Sequence, residues 1–131
     1  EKITNAPLIL LDGAHNPHAM KALIASLESY FPDYQKHILF SCIQTKVLDE
    51  MVALLKTVSK SQLFLTTFED SRSFSTEEMQ GLAKREKLAY VEWLPYLEQY
   101  KKVKHGEREL LLITGSLYFL ANVRKYLISD R

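Results

Sequence analysis

The stretch that most constrains the fold is Pro7-Leu8-Ile9-Leu10-Leu11, a short, continuously apolar run closed by Asp12-Gly13-Ala14-His15-Asn16-Pro17. A run of this length with no polar alternation suits a strand buried on both faces, as in a parallel sheet covered by helices. Asn16 before Pro17 reads as an N-cap followed by proline at the first helical position. The spacing therefore predicts a strand-to-helix junction. In open α/β sheets ligands collect at such junctions, outside the carboxyl ends of the strands. A carboxylate, an imidazole and an amide are concentrated there. Two readings stand at this point: Asp12 and Asn16 shape a turn and cap a helix, or the cluster contacts a ligand.

The rest of the chain repeats the strand-then-helix rhythm. Apolar residues at near-helical spacing predict a helix from Pro17 to about Tyr30, stopped by Phe31-Pro32-Asp33. His37 to Phe40 reads as a second strand, Val47 to Val58 as a helix, and Ser61 to Thr67 as a third strand. A polar loop from Phe68 to Phe74 leads to Ser75-Thr76-Glu77-Glu78, a helix start with acids in its first turn, running to about Arg85. A weaker strand at Leu88 to Glu92 and a helix at Pro95 to Val103 follow. The last unit is Glu109 to Thr114 as a strand, Gly115-Ser116, and a helix from Leu117 to Ile128. Five such units predict a three-layer, Rossmann-like, mainly parallel α/β sheet with right-handed crossovers. With 131 residues and no low-complexity linker, residues 1–131 are expected to form one domain. All strand-to-helix loops then open on one sheet edge, gathering Asp12, His15, Lys46, Arg72 and several hydroxyls.

Composition excludes several classes. Seventeen basic residues against sixteen acidic ones leave no basic stripe for nucleic acid. No apolar run approaches the roughly 20 residues of a membrane span, and the first residues do not resemble a signal peptide. One cysteine, Cys42, excludes an intrachain disulfide and fits a reducing, cytoplasmic compartment; after an apolar strand it reads as a small buried hydrophobe. There is neither a dinucleotide-binding glycine fingerprint nor a phosphate loop, and only four glycines are present. His15 and His18 lack further ligands at metal-binding spacing, so no metal site is expected. A hydrolase built on Ser116, His15 and Asp12 lacks the nucleophile elbow. Gly115-Ser116, at a helix start, offers N–H groups and a hydroxyl to an anion. His37 and His105 are expected to be solvated or at strand edges, and Trp93 and Tyr96 to cover the core.

Leu11-Asp12-Gly13-Ala14-His15-Asn16-Pro17-His18-Ala19, paired with Leu112-Ile113-Thr114-Gly115-Ser116-Leu117-Tyr118-Phe119-Leu120, resembles the C-terminal domain of the folylpolyglutamate synthase/dihydrofolate synthase family. That family belongs to the Mur-ligase-type ATP-dependent amide ligases. Thr66-Thr67-Phe68 and Arg72 match an intermediate segment, so the resemblance spans the chain. It implies an enzyme that joins L-glutamate to folate or dihydropteroate, using ATP and Mg2+ to form an acyl phosphate that the glutamate amine attacks. An N-terminal ATPase domain, outside this chain, would hold the phosphate loop, the metal and most of the folate site. By the same resemblance Asp12 would contact the nucleotide at the ribose, His15 the glutamate or the phosphate, and Ser116 and Tyr118 the glutamate carboxylates. No catalytic residue is assigned within this domain, and the fragment alone is expected to be inactive.

Two departures qualify the match. The family's second loop carries Asp-Lys-Asp, whereas here it reads Thr45-Lys46-Val47. The family's interdomain Arg would fall just before Glu1, so the chain reads as a piece cut at a domain boundary. A Mur-type cell-wall amino-acid ligase and a stand-alone α/β binding module remain as alternatives. An upstream reading frame continuing into a phosphate loop would separate the last of these from the ligases.

Overall fold

In the computed structural model, which describes residues 1–129, six strands and five helices alternate along the chain. They are β1 (Lys2–Asn5), β2 (Leu8–Asp12), α1 (Pro17–Tyr30), β3 (Gln35–Phe40), α2 (Leu48–Leu55) and β4 (Ser61–Leu65). There follow α3 (Thr76–Glu86), β5 (Ala89–Tyr90), α4 (Trp93–Lys102), β6 (Glu109–Thr114) and α5 (Leu117–Ser129). The sheet order is β1-β2-β6-β3-β4-β5, parallel throughout except for β1, which runs antiparallel on the edge of β2. The last strand to be made is thus inserted between the first parallel strand and the second.

β6 shows why the sheet has three layers. Leu110 and Leu112 point into a core shared with Met20, Leu27, Met51, Leu55 and Met79 from α1, α2 and α3. Leu111 and Ile113 point the other way, among Leu97, Phe119, Val123 and Leu127 from α4 and α5. The strand period of two sends successive residues to opposite faces. Both faces need apolar side chains, so the strand reads as an unbroken hydrophobic run. Each fully buried Leu or Ile stabilises the fold by about 1.5–3 kcal/mol relative to exposure.

Local signals hold at several junctions. Asn16 caps α1 through Oδ1, which accepts from Ala19 N at 2.8 Å, with proline in the first turn. Ser75 and Glu78 form a capping box on α3, Glu78 N donating to Ser75 Oγ at 3.1 Å and Ser75 N to Glu78 Oε1 at 2.9 Å. Cys42 is buried, 2% exposed. Other expectations shift. β1 has no apolar run to announce it; its Ile3 packs against the core. α2 stops at Leu55, where Thr57 N turns back to Leu54 O, and its N-cap Val47 supplies no side-chain bond. α4 begins at Trp93, which leaves Pro95 in the first turn where its missing N–H is harmless.

The histidines at the start of the sheet correct the sequence reading. His37 and His105 are neither solvated nor on an edge strand: both bind Glu109 Oε2, at 2.8 and 2.7 Å, with side chains 17% and 11% exposed. His37 lies on β3, inside the sheet. Its partner lies 72 residues away along the chain, so nothing local could announce it.

Candidate functional site

Because β2, β3, β4 and β6 are parallel, their carboxyl ends and following loops share one edge. At the end of β2, Asp12 Oδ1 accepts from Ala14 N at 2.9 Å, which fixes the turn. Oδ2 keeps its acceptor capacity free of any hydrogen bond to the described residues. His15 is exposed, and its Nδ1 donates to Gly13 O at 3.0 Å. That bond fixes the ring and leaves Nε2 for a partner outside the turn.

At the end of β6 the backbone is constrained more severely. Gly115 has φ +121°, and a Cβ there would lie 2.1 Å from Ser41 O and 2.8 Å from the Phe40 ring. Only glycine fits so close an approach in that conformation. The turn delivers Ser116 to the start of α5, where Oγ accepts from Tyr118 N at 3.1 Å and the carbonyl accepts from Leu120 N at 3.0 Å. Ser116 is therefore a helix cap. Its hydroxyl hydrogen remains available to an anion at the positive end of the helix. Leu117 packs on Gly13, since a Cβ at that glycine would meet Leu117 Cδ2 at 2.5 Å. The first and last loops are thereby brought into contact.

The loop after β4 crosses over the loop after β3. Gln44 N donates to Arg72 O at 2.7 Å, and Ile43 and Ser73 form an isolated bridge. Arg72 grips Asp70 with Nε and Nη2 at 2.8 and 2.7 Å. Those bonds hold the Asp70 carboxyl down at about 2. The guanidinium lies 3.5 Å from the centroid of the Tyr118 ring, a cation–π contact. Arg72 stood out in the sequence as one member of the edge and as part of the segment that matches the family. Its stacking on Tyr118 had no local signal, because the two side chains belong to different loops.

These loops enclose a cavity of about 470 Å³ lined by His15, Gln44, Thr45, Ser116 and Tyr118, with apolar surface from Cys42, Ile43 and Leu117. Of the four residues singled out in the sequence, His15, Ser116 and Tyr118 meet at this cavity, whereas Asp12 does not line it. Burial pushes the Cys42 thiol up to about 12, which removes it as a nucleophile. Ser41 Oγ and Thr114 Oγ1, buried at the ends of β3 and β6, have no hydrogen-bond partner. Two larger cavities, about 670 Å³ beside Lys101 to Gly106 and about 640 Å³ beside Trp93, include none of the four residues. Among the described residues no group of three or more His, Cys, Asp or Glu side chains is placed to hold a metal ion.

Comparison with known proteins agrees with this architecture. The chain is 26% identical over 127 residues to the dihydrofolate synthase/folylpolyglutamate synthase of Bacillus subtilis (strain 168), covering 97% of this chain and 29% of that protein. E. coli FolC, solved in complex with DHPP and ADP, superposes with a TM-score of 0.82 at 18% identity, covering all of this chain and 31% of FolC. The bifunctional folylpolyglutamate synthase/dihydrofolate synthase of Yersinia pestis, solved with Mn, AMPPNP and L-glutamate bound, superposes at 0.76 and 19% identity. That match covers 97% of this chain and 30% of the Yersinia protein. The chain thus spans about three-tenths of the length of the relatives it matches. The sequence model of the Mur ligase, glutamate ligase domain, matches residues 1–117, and the chain belongs to that family.

Proposed function

We propose that this chain is the amino-acid-binding C-terminal part of an ATP-dependent amide ligase that joins L-glutamate to folate or dihydropteroate in the cytoplasm. The observation that carries this reading is the convergence of His15, Ser116 and Tyr118 on one cavity at the N-terminus of α5. A dicarboxylate amino acid needs donors and positive potential. The helix N-terminus and the Ser116 hydroxyl supply both, with the His15 ring lining the same cavity and Arg72 holding the Tyr118 ring in place. Asp12 faces the nucleotide, where its unused Oδ2 suits a ribose hydroxyl.

ATP supplies the activation of the acceptor carboxylate. Asp12 fits the sugar end of that nucleotide, and among the described residues no group of three or more His, Cys, Asp or Glu side chains is placed to hold its metal. Metal, phosphate loop and folate site are assigned to an N-terminal ATPase domain, and the cavity edge is the face turned toward it. Two acids of the family's second loop are replaced by Thr45 and Val47; Thr45 Oγ1 instead accepts from Val47 N at 3.3 Å. Any charge pairing across the domain boundary therefore falls to Lys46 alone within that loop.

The purified fragment is expected to show no turnover with ATP, glutamate and a pteroate substrate, and turnover by it alone contradicts the assignment. The parent protein is expected to consume glutamate with a pteroate acceptor. Activity confined to a nucleotide-linked cell-wall precursor would move it to the cell-wall branch of the same ligases.

A further inference from the structure

The opposite edge of the sheet carries a second polar cluster, built around the first residue of β6. Glu109 Oε1 accepts from Gly106 N at 3.0 Å, and Oε2 accepts from His37 Nε2 at 2.8 Å and His105 Nδ1 at 2.7 Å. The other nitrogen of His105, Nε2, lies 2.7 Å from the carbonyl of Tyr100, and the ring stacks on that tyrosine at 3.8 Å. Burial alone would raise the Glu109 carboxyl. The hydrogen bonds from Gly106, His105 and His37 outweigh it and hold the group at about 2, so it is an ion.

A carboxylate and a peptide carbonyl can only accept hydrogen bonds. Both nitrogens of His105 therefore face acceptors. A neutral imidazole carries one N–H and serves one of the two; an imidazolium serves both. His37 has no such demand, because one Nε2–H satisfies Glu109. Its ring lies 6.3 Å from that of His105. Tyr100 faces the His105 ring from α4, His37 from β3 and Glu109 from β6. Lys101, Lys102 and Lys104 line the cavity beside His105 and Glu109, with Glu107 as its other acid.

We propose that His105 is a proton-operated clasp on residues 103–108, the segment joining α4 to β6. Doubly protonated, it ties the carbonyl of Tyr100 at the end of α4 to the carboxylate that opens β6. On losing one proton it must release one of the two ties. Within the segment the bond from Gly106 N to Glu109 then remains, with the backbone bonds of Val103 N to Gln99 O and of Gln35 N to Arg108 O at its ends.

Two measurements on the 15N-labelled, 131-residue chain test this between about pH 5 and 9. Two-bond 15N–1H correlation reads the protonation of each ring nitrogen, and hydrogen exchange reads the Gly106 amide. Both His105 nitrogens are expected to carry protons at the acid end. As one is lost, Gly106 protection, corrected for intrinsic exchange, is expected to fall about tenfold, the loss of one charge-assisted hydrogen bond. His105→Gln, whose amide cannot titrate, is expected to abolish that step, while His37→Gln keeps it. A His105 ring that titrates with Gly106 protection unchanged overturns the proposal. A ring with a single proton across the whole range overturns it too, as does a step that survives His105→Gln.

Discussion

The two edges of the sheet hold comparable sets of polar groups and treat their charged members differently. At the amino end of β6, the Glu109 carboxylate binds two imidazoles and an amide, so it is fully engaged by its neighbours. Beside it Lys36, fully buried, donates to the carbonyls of Tyr34 and Ser59. At the carboxyl end, polar groups are left with capacity to spare. Asp12 uses one oxygen, Ser116 keeps its hydroxyl hydrogen, and the Ser41 and Thr114 hydroxyls are buried without partners. Buried polar groups are nearly always satisfied in a finished fold. The spare capacity at the carboxyl edge is what the proposed ligand and second domain would use. At the other edge the ionised groups are engaged by the chain itself, and Tyr100 Oη is the exception, buried without a hydrogen-bond partner among the described residues.

Substitutions at the two edges sharpen or break this contrast. The largest effect is expected for Gly115→Ala, which places a methyl group 2.1 Å from Ser41 O in a left-handed conformation. A loss of at least about 3 kcal/mol in urea unfolding is expected. Tolerance of alanine would mean that the cavity floor is not built on that close approach.

At the self-satisfied edge, Glu109→Gln should cost about 2 kcal/mol near neutral pH, since it weakens charge-assisted bonds to two histidines. The sign with pH follows from the depressed carboxyl. Its stabilisation is present in full above the ordinary value of 4.5 and is lost as pH falls from there toward about 2. The gap between wild type and variant should therefore close across that window in pH-dependent thermal unfolding. A gap of constant size would mean that Glu109 is not the ionised hub of this edge.

Smaller stability effects belong to the open edge. Ser116→Ala removes a helix cap and should cost about 1 kcal/mol in the same unfolding measurement. Arg72→Ala, at an exposed ion pair, should leave the unfolding midpoint unchanged within error. A large loss of stability there would show that the Asp70–Arg72–Tyr118 contact supports the fold and not a ligand.

The fold was legible where local chemistry and tertiary role coincide. β2 and β6 are apolar runs bounded by Asp-Gly and Gly-Ser, and their limits follow from those residues. The capping box of α3 and the Asn16-Pro17 start of α1 are equally local. β1 was not legible, because an antiparallel edge strand needs only one face covered and Lys2-Ile3-Thr4-Asn5 has no apolar run. Strand order depends on which strands pair across the chain, so the placing of β6 between β2 and β3 had no signature in composition or period.

The candidate site divides the same way. His15 and Ser116 were marked by a turn and a helix start, both local features, and they meet because β2 and β6 are neighbours. The stacking of Arg72 on Tyr118 and the binding of both histidines to Glu109 are long-range contacts. For His37 and His105, polarity alone suggested solvent, and only the folded register supplies the carboxylate that holds them.

The central claim, that the open edge is the amino-acid side of a ligase cleft, is tested most directly by steady-state kinetics of the parent enzyme carrying His15→Ala or Ser116→Ala. Each variant is expected to raise the KM for L-glutamate about tenfold or more, the loss of one charge-assisted contact, with the KM for ATP nearly unchanged. An unaltered glutamate dependence in both variants would contradict the assignment.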